Sequence, residues 1–327
     1  MTAPQPDPTL PTSPRGTATL QPPTPDTSTD AGTAAGADGR HSGRPDLGLG
    51  RMEQLMRVRL FRGPETGSDG ARTGTMATGP WIRDPDGRPF GAAAAVIMDN
   101  TLATSLHATE PDLQWIVTTE LLLNVLRPLP ADGTTLESWT RTLVTDGTGG
   151  MASGALLGPD GTEYVQATGW FQSVDGNDPA AVEHFIAMAA LPMGPDTEVP
   201  LGDILGAQPA TPAPQAGRPE VTDAFGAGWG FERKDELRNP HGAVHGGALS
   251  MMAALAAQQA MPDRTGYDLQ SLRVMFLRPA GGDIASRVRV RHAGRSLRIV
   301  QVELFGAGNG PDAKPFVQAE AVFRPAH

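Results

Sequence analysis

The stretch that decides the fold is Asn239-Pro-His-Gly-Ala-Val-His-Gly-Gly-Ala-Leu249. After it come Ser250 to Met261, a run of small and apolar residues with no glycine or proline. This order predicts a glycine turn that opens a buried helix. Glycine lets a ligand approach the backbone, and the free N–H groups of the first helical turn carry the positive end of the helix dipole. The segment therefore suits a carbonyl oxygen that gains negative charge during a reaction.

Length and composition narrow the class of protein. The chain has 327 residues, enough for two domains of ordinary size, and a net charge of −10 that argues against general nucleic-acid binding. It contains no cysteine, which excludes disulfides, iron–sulfur clusters and a thiol nucleophile. No uninterrupted apolar run of about 18 residues is present, so no membrane span is expected. We expect a cytoplasmic protein.

Residues 1–48 differ from the rest of the chain. They are rich in Pro, Thr, Gly, Ala and Asp and have almost no large apolar side chains. Such a segment cannot bury enough surface to fold, which predicts a disordered tail. It also lacks the apolar centre of a secretory signal.

The deciding stretch has an altered copy upstream. Asp84 and Phe90 occupy the places of Asn239 and His245, both at an offset of 155 residues (239 − 84 and 245 − 90). Two later patterns also recur in the same order, at offsets of 151 and 152 residues: Leu126-Arg127-Pro128 as Leu277-Arg278-Pro279, and Val165-Gln166-Ala167 as Val317-Gln318-Ala319. Patterns that repeat in one order at a nearly constant offset indicate a duplication.

Each copy predicts an irregular lead-in, a turn, one long helix and then several strands. The helices are expected over 92–107 and 247–261, and alternation such as that from Arg287 to Arg291 is typical of a half-buried strand. The predicted strands are Trp115–Leu126, Thr135–Val144, Met151–Leu157, Glu163–Gln172, Leu269–Leu277, Ile284–His292, Leu297–Phe305 and Phe316–Phe323. A long apolar helix followed by an antiparallel meander predicts a sheet wrapped around the helix.

The copies define the domain organisation. We expect one unit over residues 49–175, a linker over 176–197 and a second unit over 198–327. The proline- and glycine-rich connector is expected to contain a short helix over Ala180–Ala190, and Pro200 to Leu205 is expected to begin the second unit.

The second copy resembles the PaaI-type, 4HBT-like acyl-CoA thioesterases of the hotdog fold. It carries their Asn-x5-His-Gly-Gly motif at Asn239, His245, Gly246 and Gly247, together with the Leu-Arg-Pro strand end and a Gly-Arg-Ser step at Gly294-Arg295-Ser296. The resemblance implies an α+β double hotdog: two tandem units, each a long helix wrapped by an antiparallel sheet. It also implies hydrolysis of acyl-CoA thioesters, with coenzyme A entering only as part of the substrate.

The two copies have lost complementary parts of the family's equipment. That family carries an acidic residue nine positions after the motif histidine, and this chain has Asp99 in the first copy but Ala254 in the second. The Ser or Thr ten positions before the strand-end proline is Thr118 in the first copy and Leu269 in the second. Family members are dimers with composite sites, so the resemblance implies an internal pseudo-dimer with one intact site. Further homo-oligomerisation is left open.

The expected intact site joins residues from both copies: Asp99, Thr118, Asn239, His245 and Gly246. Asp84, Phe90, Ala254 and Leu269 would belong to a degenerate second site.

The resemblance gives these residues roles. Asp99 would be a general base or a nucleophile, and the Gly246 N–H would bind the thioester oxygen. Asn239 would hold the attacking water or the carbonyl. The imidazole of His245 could act as a base, but the resemblance implies an orienting or hydrogen-bonding role. Gly247, Arg295 and Arg298 are expected to bind substrate, the arginines through the phosphates of coenzyme A.

Structural alternatives stand beside these roles. Asp99 could face outward or bond a loop amide, Asn239 could simply start a turn, and Gly246 and Gly247 could be turn glycines only. Thr118 could be an ordinary strand residue, and the two arginines could be surface charges. No metal is expected, because no His/Asp/Glu cluster has ligand spacing. Two functional alternatives also remain: a non-catalytic acyl-CoA binder or sensor with a decayed site, and a hydratase built on the same fold.

Overall fold

The computed structural model describes residues 49–61, 66–67, 70–110, 112–113, 115–192, 199–209, 219–309 and 313–326. The predicted tail over residues 1–48 and part of the predicted linker lie outside the described residues. All described residues belong to one compact unit, Gly39–His327.

The described residues form five α-helices and thirteen strands. The helices are α1 (Arg51–Leu55), α2 (Ala94–Thr109), α3 (Pro179–Ala189), α4 (Leu201–Leu205) and α5 (Gly246–Gln259). The strands of the first half are β1 (Val58–Leu60), β2 (Thr66–Gly67), β3 (Gly70–Ala77), β4 (Ile116–Val125), β5 (Thr135–Thr145), β6 (Gly149–Leu157) and β7 (Glu163–Ser173). Those of the second half are β8 (Ala207–Gln208), β9 (Gly226–Phe231), β10 (Tyr267–Phe276), β11 (Ile284–Ala293), β12 (Arg298–Gly306) and β13 (Val317–Pro325).

One antiparallel sheet runs through both halves. Its strand order is β1-β3-β5-β6-β7-β4-β10-β13-β12-β11-β9-β8, with β2 paired to β3. The halves join where β4 pairs with β10, placing Leu123 opposite Leu272 and Leu121 opposite Val274. The first half of the sheet packs on α2, the second half packs on α5, and the two helices pack on each other. This is the double hotdog, as the sequence predicted.

The helices and the later strands of each half lie where the sequence predicted them, within about two residues at each end. The irregular lead-ins were wrong, because each contains strands: β1 to β3 in the first half, β8 and β9 in the second. Strands β3 and β9 read Gly-Ala-Arg-Thr-Gly-Thr-Met-Ala and Gly-Ala-Gly-Trp-Gly-Phe. Glycine removes the apolar alternation by which a strand is recognised.

The duplication extends to individual hydrogen bonds in the loop before each long helix. Asp84 Oδ1 accepts the N–H groups of Asp86 at 3.0 Å and Arg88 at 2.8 Å. Asn239 Oδ1 accepts those of His241 at 3.0 Å and Ala243 at 3.1 Å. In both loops the following glycine has a positive φ, 79° at Gly87 and 75° at Gly242.

The crossing of the two long helices depends on Gly247. A methyl group placed on this residue would lie 2.6 Å from Val96 Cα, which is backbone and cannot rotate away. Small side chains dominate α5, nearly all of which is buried. Close packing of the two units therefore fixes glycine at this position.

We expect Gly247→Ala to destabilise the protein by about 1–3 kcal/mol, because the helices must separate to admit the methyl group. Urea unfolding of the variant and the wild type measures the difference. Gly281→Ala is the matched control, since nothing lies within 4 Å of its added methyl group. Equal midpoints for Gly247→Ala and the wild type would show that the crossing is looser than described.

Candidate active site

A cavity of about 640 Å³ lies between the two halves. Its buried part includes Glu53, Asp99 and His245, and the half-buried Asn100, Thr118 and Gly246 also line it. Its exposed rim includes Leu277, Arg278 and Pro279. The cavity thus combines residues of α1, α2 and β4 with the loop and helix N-terminus of the second half.

Asp99 on α2 is 7% exposed, so the alternative that it faces outward does not hold. Its Oδ2 accepts the N–H of Gly247 at 3.1 Å, and its Oδ1 accepts the hydroxyl of Thr118 at 2.5 Å. The acid of the first half therefore lies against the first turn of α5 in the second half. These two bonds, together with the helix dipole, compensate part of the cost of burying a carboxylate.

Gly246 has a steric reason to be glycine. A methyl group placed there would lie 2.7 Å from Asp99 Oδ2. Gly246 is the first residue of α5, where N–H groups have no acceptor within the helix. The residue therefore places a backbone donor and the Asp99 carboxylate side by side.

His245 is the N-cap of α5, and its Nδ1 accepts the N–H of Gly247 at 2.9 Å. Its Nε2 lies 3.3 Å from Oε1 of Glu53. Both ring nitrogens are thus engaged, which favours the orienting role over that of a free base.

Glu53 is the site residue that the sequence did not reveal. It lies on α1, is 5% exposed, and accepts a hydrogen bond from Asn100 Nδ2 at 3.0 Å. Nothing in Arg51-Met-Glu-Gln-Leu55 marks it as functional, because its partner His245 lies far away in the chain. Asn100, the neighbour of Asp99, was also not singled out as a site residue.

The three buried ionisable groups influence one another. Burial raises the pKa of Asp99, and the opposing effects of His245, Thr118 and Gly247 leave it raised. Burial lowers the pKa of His245, but the charges of Glu53 and Asp99 outweigh it and the net shift is upward. Burial raises the pKa of Glu53, yet attraction to His245 leaves it lowered. Glu53 and His245 thus each favour the charged form of the other, and Asp99 is the carboxyl that ionises less readily.

The Gly247 contact depends on the state of this imidazole. A neutral ring accepts the Gly247 N–H at Nδ1, whereas an imidazolium carries a proton there and turns it towards Asp99 Oδ2, 3.7 Å away. Nε2 carries a proton in both states, so the contact to Glu53 is kept. In the charged state the Gly247 N–H serves Asp99 alone.

Asn239 lines the cavity, but its Oδ1 already accepts two N–H groups of its own loop. The turn interpretation therefore accounts for that oxygen, and the expected substrate contact falls to the rest of its amide. Gly247 is committed to the helix crossing and to the bonds with Asp99 and His245.

The predicted phosphate-binding arginines do not line the cavity. Arg298 is 3% exposed, is paired with Asp263 at 2.7 Å, and donates to the carbonyl of Gly294. The carbonyl of Arg295 accepts the Tyr267 hydroxyl at 2.9 Å. The Gly-Arg-Ser step thus fastens the start of β12, and its placement favours the structural alternative for both residues. Arg278 is the arginine at the cavity rim.

At the opposite end of the pseudo-dimer, a hydrogen bond and two ion pairs join the two halves. Asp84 accepts from Gln258 at 2.6 Å, Arg264 pairs with Asp86 at 2.6 Å, and Arg88 pairs with Asp268. Ala254 and Phe90 are buried there, so no carboxylate or imidazole occupies the places of Asp99 and His245. The loop before α5 lines the cavity, whereas the equivalent loop before α2 is bonded to the second half.

None of the described helices is long and apolar enough to cross a membrane. The described side chains also include no group of three or more His, Asp or Glu that could hold a metal ion.

Comparison with known protein families gives one match, in the second half of the chain. Residues 235–324 match the family model described as the acyl-CoA thioesterase N-terminal domain. No curated protein matches the chain.

Solved structures share the fold at low sequence identity. A tesB protein of Mycobacterium avium subsp. paratuberculosis is similar with a TM-score of 0.54 and 12% identity, over 81% of this chain and 96% of that one. A candidate thioesterase II of Thermobifida fusca gives 0.52 and 12%, over 85% and 98%. A hotdog-fold protein of unknown function from Alicyclobacillus acidocaldarius gives 0.51 and 12%, over 84% and 98%.

We expect Glu53→Gln to lower the pKa of His245, because the variant removes the carboxylate that offsets burial of the imidazolium. Titration of the His245 ring protons by NMR, assigned with His245→Gln, measures it. Glu120→Gln is the control, since Glu120 pairs with Arg273 away from the cavity. An unchanged His245 titration in Glu53→Gln would contradict this influence of Glu53 on the ring.

Proposed function

We propose that this protein is a thioesterase that hydrolyses acyl-CoA thioesters in the cavity between its two halves. The observation that carries the proposal is the meeting of the Asp99 carboxylate with the N-terminus of α5, where Gly247 donates to Oδ2 at 3.1 Å. A base and a backbone oxyanion donor are thereby adjacent. The match of residues 235–324 to an acyl-CoA thioesterase domain supports this assignment. The finer PaaI-type assignment rests on the Asn-x5-His-Gly-Gly motif.

The reaction follows from these groups. The thioester oxygen accepts the Gly246 N–H, and a water molecule attacks the carbonyl carbon while Asp99 takes its proton. The tetrahedral intermediate then collapses, the C–S bond breaks, and the proton passes from Asp99 to the departing thiolate. Thr118 holds Oδ1, which leaves Oδ2 directed at the reacting carbon.

Direct attack by Asp99 on the thioester is the second route. It would form a mixed anhydride, which water then hydrolyses. If water attacks the Asp99 carbonyl of the anhydride, a single turnover in ¹⁸O-labelled water leaves label in the Asp99 side chain, which the general-base route never does. Label found only in the released acid fits the general-base route or attack of water at the acyl carbonyl.

The rival functions are less well supported. A hydratase needs a histidine free to move protons, but Nε2 of His245 faces Glu53 and Nδ1 is occupied in either state of the ring, by the Gly247 N–H when neutral and by Asp99 when charged. A binder with a decayed site needs no aligned carboxylate, yet Asp99 is buried and doubly hydrogen-bonded beside a helix N-terminus. Retaining such a costly group favours catalysis.

We expect Asp99→Asn to lower kcat for acyl-CoA hydrolysis by about 10²-fold or more, since the amide cannot accept the proton. Release of free thiol from a panel of acyl-CoAs measures it, and Asn239→Ala should cost less. Asp84→Asn is the matched control at the opposite end, where the same chemical change should leave kcat near the wild-type value. If Asp99→Asn turns over as fast as wild type, the proposal fails.

We expect kcat/KM to fall on the acid side at a pH above the ordinary range of an aspartate, because burial raises the pKa of Asp99 and only the ionised form acts. Thr118→Val removes a hydrogen bond that stabilises this carboxylate, so the acid limb should move to higher pH. Thr118→Ser keeps the hydroxyl and should leave the limb in place. The pH–rate profiles of the three proteins check this, and a Thr118→Val limb at the wild-type pH would contradict it.

A further inference from the structure

The Leu-Arg-Pro pattern lies at opposite ends of the sheet in the two halves. Leu126-Arg127-Pro128 follows β4 and Leu277-Arg278-Pro279 follows β10, and these strands are antiparallel neighbours. Both strand ends have the same backbone contact, because the leucine N–H donates to a carbonyl beside the start of the adjacent strand, at 2.9 Å for Leu126 and 2.8 Å for Leu277. The two arginines therefore occupy equivalent positions, and only their side chains need to be compared.

The two arginine side chains have different surroundings. Arg127 lies away from the cavity, and its Nη1 donates to the carbonyl oxygen of Glu163 at 3.0 Å. Arg278 is exposed and lines the cavity, and it makes no hydrogen bond or ion pair with any of the residues that the structure describes. Among the arginines and lysines of the described ranges, Arg278 alone lines the cavity. The duplicated arginine is thus unpaired at the end that has the cavity and hydrogen-bonded at the other end.

Backbone contacts place Arg278 beside the proposed catalytic groups. Ala280, two residues further along the chain, accepts the N–H of Val244 at 2.9 Å, and Val244 immediately precedes the N-cap of α5. Because β10 runs antiparallel to β4, Arg278 also lies at the end where β4 begins, and there Thr118 donates to Asp99. The guanidinium therefore stands at the mouth of the cavity whose buried part contains the acid.

The carrier part of an acyl-CoA has two needs at such a mouth. Its phosphates are charged and must stay on the hydrated side of the cavity, where a cation can meet them. A guanidinium suits a phosphate because it can donate two parallel hydrogen bonds to its oxygens. The pantetheine arm needs partly apolar surface, and the exposed Leu277 and Pro279 line the cavity on either side of Arg278 in the chain.

We infer that Arg278 binds the phosphate groups of coenzyme A and so recognises the carrier part of the substrate. This inference rests on the proposed thioesterase function and names the residue that selects its carrier. It assigns to an arginine of the cavity mouth the role that the sequence resemblance suggested for Arg295 and Arg298, which do not line the cavity. As with the acids, one copy of the arginine serves the cavity and the other holds its own half together.

Two thioesters of the same acyl group test the inference: octanoyl-CoA, which carries phosphates, and S-octanoylpantetheine, which has none. We expect Arg278→Met to raise KM for octanoyl-CoA at least about fivefold, because charge-assisted bonds to phosphate are lost. The kcat should change little, since the lost bonds are made equally in the ground state and the transition state. KM for S-octanoylpantetheine should be the same in the variant and the wild type.

Three controls accompany this comparison. Arg127→Met makes the same change at the equivalent position, and both KM values should stay at wild-type levels. Arg278→Lys keeps the charge and should recover part of the affinity for octanoyl-CoA. Raising the salt concentration from about 0.05 to about 0.5 M should raise the wild-type KM for octanoyl-CoA and affect Arg278→Met less, because salt screens exposed charges.

An unchanged KM for octanoyl-CoA in Arg278→Met, or an equal rise for both thioesters, would overturn the inference while leaving thioesterase activity intact. If the wild type hydrolyses neither thioester, the proposed function fails on its own, and calorimetric titration with coenzyme A and with pantetheine then tests Arg278. Binding of coenzyme A that weakens at least about fivefold in Arg278→Met, with pantetheine unaffected, supports the inference. Any other result, including no binding of coenzyme A by the wild type, overturns it.

Discussion

The burial of one carboxylate at the N-terminus of a helix from the other half governs this molecule. Asp99 is acceptable in an apolar helix only because Gly247 and Thr118 donate to it and the dipole of α5 points at it. Those donors in turn fix glycine at positions 246 and 247, where a methyl group would strike Asp99 or Val96. The contact between α2 and the N-terminus of α5 therefore holds the two long helices together and also places Asp99 in the cavity.

Because the two halves belong to one chain, the contact between a buried acid and a helix N-terminus can be present at one end of the pseudo-dimer and absent from the other. A symmetric dimer of one unit would present two acids and two helix N-termini, whereas here the second copy has Ala254 where the first has Asp99. At the other end the corresponding loop instead holds the two halves together, since Arg264 and Arg88 pair across them with Asp86 and Asp268. Both ends keep the hydrogen bonds of the loop itself, because the turn must still start a helix whether or not a ligand is held there.

The sequence carried the fold and part of the site. Long runs of small apolar residues and alternating strands are local signals, so the helices and later strands could be predicted; the glycine-rich strands β3 and β9 lack that signal. The proximity of Asp99 to Gly246 could be predicted because the two copies had lost opposite residues. Glu53 could not, since its contact with His245 joins segments that no motif connects. The position of the Gly-Arg-Ser step away from the cavity could not be predicted either, because a local motif does not reveal which part of the molecule it faces.

Glu53 affects the pKa values of both His245 and Asp99. With Asp99 alone, a nearby imidazolium would neutralise the carboxylate and hold it ionised. With Glu53 on the far side of the ring, both acids favour the imidazolium, and its attraction is divided between them. Burial raises the pKa of Asp99, and the charge of Glu53 adds a smaller shift in the same direction, so the pKa stays raised, as a general base needs, although His245 lies 3.7 Å away. The short helix α1, which lies outside both copies of the recognised motif, is thus part of the device that tunes the proposed base.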